Sequence, residues 1–144
     1  MGEYNAAITA IVDQFRGREF EPQYFAFFEC FNQGLYFEAH DVLEELWLPQ
    51  RNQPNGLFYK GLIQLAGAFV HLQKVRLRPA DALFELARTN LERYRPFHDR
   101  LDVASVLDLI GNWRRKLEEG EFKVNPSNLQ SQPKIMLSVP AQET

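Results

Sequence analysis

Residues 31–47 read Phe31-Asn32-Gln33-Gly34-Leu35-Tyr36-Phe37-Glu38-Ala39-His40-Asp41-Val42-Leu43-Glu44-Glu45-Leu46-Trp47. From Tyr36 onward the apolar residues recur at three- and four-residue spacing, which predicts an amphipathic helix that follows a turn near Gly34. We place this third helix at about 36–48 and expect Pro49 to end it. No other segment combines aromatic rings, carboxylates and a histidine so densely, so we expect the functional site here.

The composition is that of an ordinary globular domain. Of the 144 residues, 45% are hydrophobic and 24% are charged, which argues against disorder over most of the length. The net charge of −3 gives no general attraction to nucleic acid or to an anionic membrane. No apolar stretch reaches the ~18 residues that a membrane span needs, and no signal-peptide pattern is present. We therefore expect a soluble cytoplasmic protein with no membrane partner and no preference for nucleic acid.

Five further helices are predicted on either side of the third. They lie at about 4–15, at 22–33, at 57–75, at 80–94 and at 102–119, and Gly120 stands where a helix C-cap is expected. The fourth helix is apolar over the widest arc, so we expect it at the centre of the fold. Its glycines, Gly61 and Gly67, favour close packing of a neighbouring helix. The single cysteine, Cys30, lies among phenylalanines and is expected in the core and not as a nucleophile.

The tail after Gly120 differs from the rest of the chain. Prolines at positions 126, 133 and 140 interrupt a polar segment with one apolar island at 135–137, and no helix is predicted there. We expect either an extended strap across the surface or a mobile end. No alternating strand pattern of useful length is visible. The sequence thus predicts an all-α fold: one bundle of about six helices over residues 1–120, followed by an extended proline-containing tail over 121–144.

The third helix carries the candidate chemistry. Its apolar stripe comprises Tyr36, Ala39, Leu43, Leu46 and Trp47, and His40 falls inside that stripe. At 100° per residue, Glu44 lies only ~40° from His40 and one turn further on. Glu38 and Glu45 point ~160° and ~140° away, so we expect them to be solvated.

An imidazole and a carboxylate one turn apart are suitable ligands for one divalent metal ion, such as Zn²⁺ or Mn²⁺. Because two ligands are too few, His71 and the amide oxygen of Gln64 are candidates to complete the shell if the third and fourth helices face each other. The candidate ligands are therefore His40, Glu44 and His71. Further candidates to line the site are Tyr36, Glu38, Trp47 and Gln64.

A purely structural interpretation uses the same geometry. A buried, hydrogen-bonded pair of His40 and Glu44 can satisfy its own polar groups and fix the helix register without any ion. A non-enzymatic interaction module is then the alternative function, with a protein partner or a second copy of the chain on the aromatic surface, or a basic segment against Glu38 and Glu45. A basic face for RNA is a further alternative that the acidic total does not favour. Its residues are Lys74, Arg76, Arg78, Arg88, Arg93 and Arg95.

The motif residues resemble a known family. They are Phe31, Gly34, Tyr36-Phe37-Glu38-Ala39-His40, Leu43-Glu44-Glu45-Leu46-Trp47 and Tyr59-Lys60-Gly61-Leu62-Ile63-Gln64-Leu65-Ala66. Over roughly residues 25–118 the chain resembles the domain-of-unknown-function family numbered 309, which comprises small all-helical proteins of bacteria and archaea. The resemblance implies a compact helical fold. Since the family has been labelled a predicted metal-dependent hydrolase, the resemblance also implies metal-dependent hydrolysis, with no substrate specified.

Overall fold

The computed structural model describes residues 5–128 and 131–138. Over these residues the six α-helices are α1 Ala6–Asp13, α2 Pro22–Asn32, α3 Tyr36–Gln50, α4 Gly56–Gln73, α5 Leu77–Leu91 and α6 Val103–Glu119. A short 3-10 helix, Glu92–Tyr94, follows α5. Strands β1 Phe97–His98 and β2 Leu101–Asp102 then pair antiparallel before α6. The predicted all-α fold is confirmed, and no helix in the described part of the chain is long and apolar enough to cross a membrane.

Helix α4 lies at the centre, as predicted, because it packs against both α3 and α5. Helix α2 covers α3, α6 covers α5, and α1 packs on α2. The glycines of α4 explain how closely α5 approaches. An ideal Cβ at Gly61 would lie 2.7 Å from Cγ of Leu91, and one at Gly67 would lie 3.1 Å from Cδ1 of Leu83. Side chains at these two positions would push α5 away from the core.

One aromatic ring joins most of the core. Phe69 of α4 is fully buried and contacts a ring from each of four other helices. The four are Phe31 of α2, Tyr36 of α3, Phe84 of α5 and Trp113 of α6, with centroid distances of 5.5, 5.0, 5.3 and 5.0 Å respectively. Buried aromatic pairs contribute both apolar area and about 0.5–1.5 kcal/mol of specific ring interaction. These contacts fix the positions of α3 and α4 relative to each other.

Pro49 and Pro79 both lie inside helices, although the predicted boundaries placed them just outside α3 and α5. Helix α3 continues to Gln50 and includes Pro49, so the predicted end at residue 48 is wrong. Proline adopts a helical φ and costs only its own hydrogen bond, which a helix tolerates most easily near an end. Helix α5 begins at Leu77, three residues before the predicted start, and Pro79 lies in its first turn. The backbone N–H groups of a first turn have no partner within the helix, so Pro79 loses no helical bond there.

The tail over the described residues 121–128 and 131–138 packs on the helical domain. Asn32, at the end of α2, donates to the carbonyl of Ile135 at 2.8 Å and accepts from its N–H at 2.7 Å. Ile135 is only 5% exposed. The side chain of Asn125 donates to the carbonyl of Leu72, and the N–H of Ser138 donates to the carbonyl of Arg100. These bonds agree with the expected strap. The predicted start of the first helix at Tyr4, and Pro140 in the tail, lie outside the described residues.

Candidate metal centre

The turn between α2 and α3 sets the orientation of the candidate site. Gly34 has φ +78°, in the left-handed region that glycine adopts without strain. The next N–H, that of Leu35, donates to the carbonyl of Cys30 at 2.9 Å and so satisfies a carbonyl at the end of α2. An ideal Cβ at Gly34 would lie 2.7 Å from Nε2 of Gln132 in the tail. The left-handed backbone of the turn therefore favours glycine at this position, and the Gln132 side chain of the tail lies against it.

His40 lies at the edge of the apolar stripe of α3 and not inside it. Its side chain is 30% exposed, whereas Val42 is fully buried with Ala39 and Leu43. The inward-facing arc of the helix is therefore centred further from His40 than the sequence analysis expected. This position lets the imidazole touch the core on one side and water on the other, as an accessible metal ligand must.

His40, Asp41 and Glu44 form one cluster. Nδ1 of His40 is 3.1 Å from Oδ1 of Asp41, and one ligand atom from each of the three residues lies within 4.8 Å of the other two. All three side chains are half-buried. The sequence analysis identified His40 and Glu44 but missed Asp41, because neighbouring positions on a helix point 100° apart. The signal that could have suggested it is the spacing His-Asp-x-x-Glu, in which both acids lie on the same side of the imidazole direction, at about 100° and 40° from it.

The donor set of this cluster fits a divalent transition metal. One imidazole nitrogen and two carboxylate oxygens are ligands that Zn²⁺ and Mn²⁺ accept. All three come from one helix, which fixes their backbone positions. In the described part of the chain neither Asp41 nor Glu44 forms an ion pair with a lysine or arginine. A bound cation would therefore neutralise two carboxylates that have no lysine or arginine partner among the described residues.

His71 and Gln64 are not part of this cluster. Gln64 accepts a hydrogen bond from Nδ2 of Asn90 at 2.8 Å, so its amide oxygen is engaged by α5. His71 is half-buried, and its Nδ1 is buried without a hydrogen-bond partner among the described residues. Burial lowers the pKa of His71, and the charges of Arg76 and Lys74 lower it further, so this imidazole is neutral at pH 7. Completion of a metal shell by His71 and Gln64 stays a prediction.

The other residues expected to line the site have different surroundings. The Tyr36 ring is buried between Phe31 and Phe69, and burial raises its pKa to about 12, so the hydroxyl is protonated at neutral pH. Trp47 is half-buried, and Nζ of Lys60 lies 4.4 Å from the centroid of its ring. This cation–π contact joins α3 to α4 one turn beyond Glu44.

The expectation that Glu38 and Glu45 are solvated is wrong, since both are half-buried. Glu45 accepts a hydrogen bond from Nε2 of Gln23 on α2 at 3.3 Å. Burial raises the pKa of the Cys30 thiol to about 12, and the charge of Glu38 contributes to that rise. The side of α3 opposite His40 therefore packs against α2. The buried position confirms Cys30 as a core residue.

A second polar cluster lies at the β1–β2 turn and was missed. His98 belongs to β1, and its Nε2 is 2.7 Å from Oδ1 of Asn55 at the start of α4. Asn55 also donates to Oδ2 of Asp99 at 2.8 Å. The His98 ring packs 4.6 Å from the centroid of Phe58. The strands have only two residues each, so no alternating pattern could reveal them, and the partners of His98 lie about 40 positions earlier in the chain.

These observations define the class of the protein: a small all-α domain with a His-Asp-Glu cluster on its third helix. Residues 24–83 match the family described as "Domain of unknown function (DUF309)". The resemblance noted in the sequence is thus confirmed for α2, α3, α4 and the first part of α5. Residues 84–118, which the sequence analysis included, lie outside the matched segment. Comparisons with curated proteins and with solved structures found no match.

Proposed function

We propose that this domain binds one divalent transition-metal ion through His40, Asp41 and Glu44, and that the ion activates water for hydrolysis. The observation that carries the proposal is the convergence of the three ligand atoms within 4.8 Å of one another. Three protein ligands are the usual complement of a catalytic zinc site, where the fourth position holds water or substrate. The half-exposed position of His40 gives a substrate access to that position.

The neighbouring residues support a site and not only a surface cluster. Phe37 stacks on the His40 ring at a centroid distance of 6.4 Å with an interplanar angle of 5°. The stacking holds the imidazole in one orientation and shields one of its faces. A metal ligand must be deprotonated, so we expect metal affinity to fall as the pH is lowered. His71 is a candidate for a further ligand because its neutral Nδ1 has no partner among the described residues.

The binding step is tested with protein purified without an affinity tag. After treatment with a chelator, titration with Zn²⁺ or Mn²⁺ in a calorimeter is expected to give about one ion per chain. Asp41→Asn and Glu44→Gln should each weaken binding by at least about tenfold, because each removes one charged ligand. Asp108→Asn, which changes an exposed aspartate of α6, is the matched control and should leave the affinity unchanged. Equal affinities in all four proteins would refute the site.

The hydrolytic step needs its own assay. Metal-loaded protein is incubated with generic carboxylic esters and phosphodiesters, and we expect hydrolysis that a chelator abolishes and that Glu44→Gln lowers. Stoichiometric metal binding without turnover of any of these substrates would reject the hydrolase while retaining the metal site.

The second candidate function is a contact surface for a protein partner or for another copy of the chain. Phe37 is 57% exposed and Leu48 is 48% exposed, and both lie on α3 on either side of the cluster. Light scattering over a concentration series tests the homo-oligomer form. A concentration-dependent dimer that Phe37→Ser and Leu48→Ser both abolish would support it. A monomer at every concentration would remove that form.

A further inference from the structure

A cleft lies between α5 and α6 on a different part of the molecule from the His-Asp-Glu cluster. Its volume is about 400 Å³, within the range of small-molecule sites. Arg88 of α5, Arg114 and Arg115 of α6, and Phe122 just after α6 line it, together with Asp81 and Glu118. Carboxylates pair with all three arginines, so the cleft offers guanidinium N–H donors without a surplus of positive charge. Nothing in the chemistry proposed for α3 uses these residues.

Two of the guanidinium groups are held in fixed positions by carboxylates. Nε of Arg114 donates to Oδ1 of Asp81 at 2.9 Å, and Nη1 of Arg114 donates to Oε1 of Glu85. Arg88 donates to both oxygens of Glu85, at 3.2 and 2.6 Å. The bonds to Arg88 and Arg114 lower the pKa of Glu85, so this carboxylate is charged at neutral pH. Nη2 of Arg114 also donates to Oδ2 of Asp81 at 3.4 Å. A guanidinium has five N–H groups, so each arginine still has N–H groups that these bonds do not use.

Gly111 gives the cleft its depth. It lies in the middle of α6, where glycine costs roughly 0.5–1 kcal/mol relative to alanine. At Gly61 a neighbouring helix explains the glycine, but an ideal Cβ at Gly111 would meet no atom within 4 Å. Packing therefore does not require this glycine. Since Gly111 lines the cleft, the missing side chain leaves space next to the guanidinium groups.

The rest of the lining indicates what kind of ligand fits. Arg115 is 58% exposed. Its Nη1 donates to Oδ1 of Asn112 at 2.9 Å and its Nε lies 3.8 Å from Oε2 of Glu119, so its Nη2 group is the donor left for a ligand. Phe122 packs against the core and presents an apolar wall, with the guanidinium of Arg78 4.3 Å from its ring centroid. Glu118 has no basic partner in the described part of the chain and opposes an anion. A ligand must therefore offer an oxyanion to the arginines and an apolar body to Phe122.

We propose that the cleft between α5 and α6 binds a small organic oxyanion, a carboxylate or phosphate monoester on a flat apolar body. The oxyanion accepts hydrogen bonds from Arg114 and Arg115. The body lies over Gly111 against Phe122. This site is separate from the proposed metal centre, so either can exist without the other.

The probes are phenyl phosphate, benzoate, phenol and inorganic phosphate, titrated into isotope-labelled protein and followed by NMR. We expect phenyl phosphate or benzoate to shift the Gly111 amide and the Nε–H signals of Arg114 and Arg115 in a saturable way. Inorganic phosphate should bind at least about threefold more weakly because it lacks the apolar body, and phenol should not bind. The stronger of phenyl phosphate and benzoate identifies the anionic group.

Variants distinguish specific binding in the cleft from nonspecific attraction of anions to surface arginines. Gly111→Leu should abolish the saturable shifts by filling the cleft, while Gly111→Ala should retain them. Arg115→Gln should weaken binding about fivefold or more through loss of a charge-assisted donor, and Glu118→Gln should strengthen it by removing a like charge. Arg16→Gln, at an arginine of the N-terminal region paired with Asp13, is the control and should change nothing. Unsaturable shifts with both organic anions, or binding that survives Gly111→Leu, would overturn the proposal.

Discussion

The His-Asp-Glu cluster of α3 and the arginine network between α5 and α6 differ in whether their carboxylates are paired with arginines or lysines of the protein. In the cluster, two carboxylates share one helix face with an imidazole and have no lysine or arginine partner among the described residues. In the network, Asp81 and Glu85 of α5 are joined to Arg114 of α6 by ion pairs that cross between helices. The pairs of the network connect two helices, whereas the carboxylates of the cluster have no lysine or arginine among the described residues to neutralise them.

The largest effect that tests this contrast is expected in the cluster. His40→Ala should weaken Zn²⁺ binding by at least about 100-fold, or about 2.7 kcal/mol. It should change the unfolding free energy of the metal-free protein by less than ~1 kcal/mol, because the side chain is 30% exposed and, among the described residues, forms a hydrogen bond only with Asp41. Calorimetry and urea unfolding measure the two quantities. The control is His98→Ala, which should leave Zn²⁺ binding unchanged but lower stability, since His98 packs between Asn55 and Phe58.

Substitutions in the arginine network should lower stability and leave metal affinity unchanged. Arg114→Gln is expected to lower the unfolding free energy by about 1–1.5 kcal/mol without changing metal affinity, because it leaves Asp81 and part of Glu85 unpaired. Arg115→Gln, at an arginine on the same helix whose side chain is 58% exposed, should cost less than ~0.5 kcal/mol. Urea unfolding compares the two variants, and equal losses would contradict the assigned role of Arg114.

Alanine substitutions compare Gly111, where the helix faces open space, with Gly61, where another helix packs closely. Gly111→Ala should raise the unfolding free energy by about 0.5–1 kcal/mol, because its Cβ would enter open space and glycine disfavours the helix. Gly61→Ala should lower it, because the same atom would collide with Leu91. Thermal melts of the two variants should therefore shift in opposite directions, and a shared direction would contradict the described packing of α5.

The smallest effect is the pH dependence of the network. Hydrogen bonds from Arg88 and Arg114 hold the pKa of Glu85 below its ordinary value of 4.5. A carboxyl group whose pKa is lower in the folded state stabilises the fold above the unfolded-state pKa and loses that contribution as the pH falls through the folded-state value. The stability difference between the parent and Glu85→Gln should therefore be full above about pH 5 and shrink below it. Glu118→Gln, at a carboxylate without a basic partner among the described residues, should show no such trend.

Sequence periodicity was sufficient for the helices because each buried stripe repeats within one segment. It located α4 at the centre from its wide apolar arc and predicted from Gly61 and Gly67 that a neighbouring helix packs closely, without saying which one. It did not fix boundaries at Pro49 and Pro79, since proline is tolerated at several positions near helix ends. The helical wheel also has limited resolution, and for that reason His40 was placed inside a stripe that in fact includes Val42.

The sequence predicted only part of the candidate site, because side-chain rotamers and tertiary contacts cannot be read from helix spacing. His40 and Glu44 share a helix face by spacing alone, and the wheel found them. Asp41 reaches the same point through its side-chain rotamer, which spacing does not encode. Gln64 bonds to Asn90, which lies 26 positions away in the chain, and His98 bonds to Asn55, which lies 43 positions away. Only tertiary packing brings such residues together.

The ring contacts of Phe69 have a consequence for how the molecule opens. Since this one side chain joins α4 to α2, α3, α5 and α6, none of the five helices can detach without exposing apolar surface on the others. Their amide protons should therefore exchange with solvent deuterium only through cooperative global unfolding. Those of α1, which makes no ring contact with Phe69, should exchange through local fraying at a much lower free energy.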